Sequence, residues 1–187
     1  MRIRIRYSLV LDNLFKQLQS PADYPEAENT LLLIEEFRSH WDRLESQILN
    51  ALQQILGVNF VNPILDAFIV GEAPNSISTP IVIHTKMDKD RFIYVLAHEL
   101  IHVLLSDNAE GVDFPEKLKN LYPNETWKTR NHIAVHAVLE KVFTELIPKP
   151  EYLIKDKEFC KNKPAYAKAW AVVSQEGYGN IINKLLM

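Results

Sequence analysis

His98, Glu99 and His102 are the residues of this chain best equipped for chemistry, and they sit in Val95-Leu96-Ala97-His98-Glu99-Leu100-Ile101-His102-Val103-Leu104. Four residues of α-helix turn through about 400°, so two imidazoles at that spacing lie one turn apart and within roughly 40° of each other. Neutral imidazoles placed in this way can ligate one metal ion, at about 2.0–2.1 Å for zinc. Glu99 follows the first histidine directly. From there its carboxylate can reach a water held by the ion without being a ligand, and can take the proton that the ion makes acidic. Every flanking residue is apolar, which predicts a buried helix. Burying two histidines and a carboxyl is costly unless they find partners, and a metal with its water would supply them.

The pentapeptide is the HExxH pattern of a metal-binding helix, and over roughly residues 67–146 the chain resembles the zincin metallopeptidases. That resemblance implies that His98 and His102 bind Zn2+ and that Glu99 is the general base. It also implies hydrolysis of peptide bonds, with a peptide or protein as substrate. It further implies that an edge strand precedes the active-site helix and pairs with extended substrate. Ile81-Val82-Ile83-His84-Thr85 stands where that strand is expected.

Catalytic zinc takes three protein ligands and keeps a position open. Metzincins continue the motif with a glycine three residues on and a histidine six residues on. Leu105 and Asn108 occupy those positions, which excludes that branch. Gluzincins take a Glu from a second helix, often after an Asn, with an acid four residues later. Here the second helix reads Asn131-His132-Ile133-Ala134-Val135-His136-Ala137-Val138-Leu139-Glu140, so histidines replace both acids. The expected arrangement is therefore gluzincin-like, with His in place of the third-ligand Glu.

His132, His136 and Glu140 form an i, i+4, i+8 stripe, and each is a candidate third ligand, His132 being preferred. The other histidine could orient a ligand, hold substrate or support an oxyanion. The competing explanation of the stripe is the polar edge of an amphipathic helix. If His98, His102, His132 and His136 all bound the ion, the site would be closed and the protein a non-catalytic regulatory or binding one. A zinc amidase acting on a small molecule would use the same residues as a peptidase. Tyr122, Tyr166 and Tyr178 are candidate oxyanion donors. His84 could meet substrate but is expected to be an exposed strand-end histidine, Glu110 is expected to be a solvated acid, and His40, on the long helix, has no expected role.

Several elements must hold these residues in place. Helical spacing covers residues 7–19, and a break follows at Ser20-Pro21-Ala22-Asp23-Tyr24-Pro25. A long helix is predicted over 25–56, with Leu32, Ile34, Phe37, Trp41, Leu44, Ile48, Leu52 and Ile55 on one stripe and Gly57 as its stop. Strands are predicted at 67–70 and 81–85. The HExxH helix spans about 89–105 with Asp88 as N-cap. Residues 106–125 read as loop with one turn near 115–122. A helix follows over 126–146, then one or two more in 151–187 with a turn at Gly177 and Gly179. The fold class is α+β, a mainly helical, zincin-like single domain over 1–187 with a small sheet.

Composition sets the wider limits. The 187 residues are 47% apolar and 24% charged, with a net charge of −3, which suits a globular domain and gives no electrostatic reason to bind nucleic acid. The single cysteine, Cys160, cannot form an internal disulfide and is expected to be half-buried and inert. No stretch approaches the roughly 18 apolar residues of a membrane span, and the first residues lack a cleavable leader pattern. A soluble, cytoplasmic protein is expected.

Overall fold

A computed structural model of the chain describes residues 1–19, 23–108 and 111–187. Residues 20–22 of the expected break at 20–25, and Glu110, lie outside the described residues. The chain forms two compact units, one of residues 1–46 and 62–100, the other of residues 47–61 and 101–187.

The first unit carries a four-stranded sheet. Strand β1 (Arg2–Tyr7) pairs in parallel with β2 (Ile64–Val70), and β2 pairs in parallel with β4 (Ile81–His84). The two-residue β3 (Ile77–Ser78) runs antiparallel to β4, giving the order β1-β2-β4-β3. Arg2-Ile3-Arg4-Ile5 alternates with period two, burying Ile3 and Ile5 and exposing the arginines, as a half-buried strand requires. The expected helix at 7–19 therefore begins only at Leu9, as α1 (Leu9–Gln19).

The strand before the HExxH helix is not the edge strand that the resemblance implies. β2 lies along one side of β4, and β3 covers the other side at Ile81 and Val82. Only Ile83 and His84 lie beyond that short ladder, which is too little for substrate to pair along the whole strand.

The predicted long helix is two helices, α2 (Ala27–Asp42) and α3 (Glu45–Leu56). Leu44 N–H turns back to the Trp41 carbonyl at 2.8 Å. The Glu45 carboxylate accepts from Trp41 Nε1 at 3.1 Å and from the backbone N–H of Ile3 at 2.7 Å. This tertiary anchor breaks the helix at a place where the apolar stripe continues unbroken. Gly57 does end α3, with φ +66°, a conformation that costs other residues more than glycine.

Helix α4 (Lys89–Asp107) carries the HExxH sequence. Asp88 caps it as expected, accepting from the N–H of Arg91 at 2.7 Å. Phe92 stacks on Phe37 of α2 with ring centroids 4.3 Å apart.

The second unit is helical. Its α5 (Phe114–Leu121) occupies much of the expected loop, capped by Asp113. Helix α6 (Trp127–Lys141) is capped by Thr126 and continues as a π-helical turn over Val142–Leu146. Three helices complete the unit, one more than the upper expectation: α7 (Pro150–Cys160), α8 (Pro164–Glu176) and α9 (Tyr178–Leu186). Gly177, at φ +80°, makes the turn between the last two, whereas Gly179 lies inside α9. α6 packs against α5, α8 and α9, and every residue from His132 to Leu139 is buried. Among the described residues, no helix is long and apolar enough to cross a membrane.

Candidate metal centre

From Phe92 to Leu105 every residue of α4 is buried except His98 and His102, which are half-buried. Over that length, solvent reaches the helix at its two histidines. Glu99 lies between them in sequence and is only 7% exposed. Burial pushes its carboxyl up to about 8, because an ionised carboxylate loses its hydration there.

α6 brings a third imidazole. One nitrogen from each of His98, His102 and His132 forms a group whose members all lie within 4.8 Å of one another. The His102 and His132 rings meet edge to face at 5.1 Å. His132 Nδ1 lies 2.7 Å from the Lys128 carbonyl oxygen. A carbonyl only accepts, so Nδ1 carries the proton and Nε2 keeps its lone pair, the tautomer that a ligand histidine needs. Burial lowers His102 and His132 to about 4 each, with the neighbouring His132 adding to the effect at His102. All this favours the neutral form at pH 7, which is the form that binds metal.

The residues fit a transition-metal ion. A tetrahedral ion with bonds of about 2.0–2.1 Å sets its ligand nitrogens about 3.3–3.4 Å apart. The three ligand nitrogens, all within 4.8 Å of one another, are gathered on that scale. Three imidazoles suit zinc, and also copper, iron and nickel.

His136 lies one turn further along α6 and outside this group of three. Its ring stacks on Trp170 at 4.2 Å and its Nε2 is 4.0 Å from an Asp156 carboxylate oxygen. Burial lowers it to about 3. Glu140, another turn on, pairs with the Lys157 ammonium at 3.1 Å. Neither histidine of α6 is on the polar edge of an amphipathic helix, since the residues around both are buried.

Of the three tyrosines, Tyr166 alone adjoins the cluster, its ring 4.1 Å from that of His132. Tyr122 donates to Glu176 and Tyr178 to Glu145. His84 Nδ1 accepts from the N–H of Lys86, and His40 faces Asp90. The Asn108 amide donates to the Asn59 and Leu104 carbonyls. Cys160 is buried, beside Asp156.

Asp156 escaped the sequence reading. It is 3% exposed and accepts from Trp170 Nε1 at 2.9 Å. Between Lys155 and Lys157 it reads as one charge of a solvated run, and its only signal is a place four residues before the buried Cys160. No protein-family model, curated protein or solved structure matches the chain.

Proposed function

We propose that the protein is a zinc-dependent hydrolase and that its substrates are peptides. The observation that supports this best is the convergence of His98, His102 and His132 on one point, with solvent reaching α4 at the first two. In this reading those three residues hold the ion. Zinc held by three imidazoles acts as a Lewis acid toward water and a carbonyl oxygen. The His132–Lys128 bond fixes the tautomer of one ligand.

Glu99 is the general base. Its raised pKa, about 8, suits a group that takes a proton from the attacking water and returns it to the leaving amine. A cation in the site would lower that value and favour the ionised form. Because His136 is turned to Trp170 and Asp156, the three-ligand arrangement leaves a position for substrate, which favours a catalytic over a closed site.

The test is hydrolysis of a mixed fluorogenic peptide library by zinc-loaded wild type and Glu99→Gln. Removing a general base costs about 10²–10⁴-fold in rate, so the variant should lose at least that much while keeping its zinc. Wild-type rates in Glu99→Gln would refute the assignment.

A further inference from the structure

His136 repeats on α6 the spacing that makes His98 and His102 a pair on α4. Each pair is four residues apart on a helix, so the two imidazoles of α6 also lie one turn apart on one face. The His132 ring has the His102 ring at 5.1 Å and the His136 ring at 5.7 Å. Distance between rings therefore does little to separate these two neighbours of His132. Yet a nitrogen of His102 belongs to the group of three and none of His136 does.

Orientation makes the difference. An imidazole binds an ion through a nitrogen lone pair that lies in the plane of its ring. The His136 ring lies nearly flat on Trp170, with 13° between the planes and 4.2 Å between the centres. That stack keeps the ring plane along the indole face, and Nε2 lies 4.0 Å from an Asp156 carboxylate oxygen. His132 meets Tyr166 four residues earlier on both helices, but there the two rings are tilted by 53°. Trp170 is itself fixed. Its Nε1 donates to Asp156 at 2.9 Å, and the Lys157 ammonium lies 4.5 Å from its ring centre while pairing with Glu140 of α6. Asp156, Trp170 and His136 are all buried, and close packing gives the imidazole little room to turn while the indole is in place.

We propose that Trp170, positioned by Asp156, holds His136 out of the coordination shell and so keeps the metal site open. His136 is then a latent fourth ligand. Trp170 and Asp156 act through it and are positioning residues. With the indole removed, the His136 imidazole turns toward His102 and His132 and closes the shell, which converts an open site of the catalytic kind into a closed one of the structural kind. This rests on the zinc reading of the site and adds the device that decides between its open and closed forms.

The test compares wild type, Trp170→Leu, His136→Gln and Trp170→Leu/His136→Gln, each checked for folding by circular dichroism. Chelator competition reads zinc affinity, and calorimetric binding of acetohydroxamate to the zinc-loaded protein reads the open position. Changes around the ligands of a metal move its affinity about 10–100-fold. Trp170→Leu should bind zinc more tightly by about that factor and lose acetohydroxamate binding, whereas mere damage to the fold would loosen zinc. The double variant should return to wild-type values in both readouts, and His136→Gln alone should leave both unchanged. Trp170→Met, with a side chain that fills irregular gaps, takes the place of the leucine variant if that does not fold. X-ray absorption of zinc-loaded wild type, which needs no variant, should count three imidazoles. Four imidazoles in wild type would overturn this inference and leave the zinc site standing. So would a folded Trp170 variant whose zinc affinity is unchanged or weaker, or which still binds acetohydroxamate. Absence of zinc uptake, or of acetohydroxamate binding, by wild type would instead bring down the open zinc site and this inference with it.

Discussion

An ordinary surface histidine competes for protons near pH 6.5. His102 and His132 do not, because burial lowers both to about 4. Ligand histidines must be neutral, and these two are neutral well below the usual range. Zinc affinity, measured by competition with a chelator of known pH dependence in Glu99→Gln, where that carboxyl no longer titrates, should therefore lose at most one proton's worth per pH unit between about pH 6 and 5, because His102 and His132 protonate only as the pH approaches 4. A loss of two or three protons' worth over that range would mean that these imidazoles are hydrated as in a peptide. His136 shows why spacing alone does not decide which histidines come together. Its i+4 relation to His132 is the same as that of His102 to His98, yet its ring is stacked on Trp170 beside Asp156. Those two partners come from α8 and α7, which the sequence spacing on α6 does not reveal.

Among the elements, α4 was the most legible. Its apolar flanks, its Asp88 cap and its ligand spacing are local properties, and local properties are written in sequence. The cap gives a direct test. Asp88→Ala should remove the bond to the Arg91 N–H and lower stability by about 1 kcal/mol, read as a shift in the urea midpoint. Zinc stoichiometry should be unchanged, because the histidines lie two turns or more into the helix. No measurable shift would show that the cap contributes nothing. The break between α2 and α3 was not legible, since the Glu45 carboxylate that anchors it reaches Trp41 and the distant Ile3. Strand β1 has the period-two pattern in full view, but alternation does not name a partner, and β1 pairs with β2 far along the chain, from Arg2 with Ile64 to Tyr7 with Ile69. The order β1-β2-β4-β3, which puts β3 outside β4, depends on a two-residue strand too short to leave a pattern.

At the scale of the whole molecule, composition indicated a folded chain and the pattern of helices and strands the α+β class, and the structure is mostly helical with one small sheet. The candidate metal centre is what ties the sequence to the proposed function, because three imidazoles and a buried carboxyl are expensive to bury for packing alone. The most direct test is elemental analysis of purified, zinc-reconstituted wild type, His102→Ala, His132→Ala and His136→Gln, with circular dichroism confirming that each is folded. The account predicts about one zinc per chain in wild type and His136→Gln, and almost none in the other two, as for a site that needs all three of its ligands. Failure of wild type to take up zinc, or full retention of zinc in His132→Ala, would contradict it.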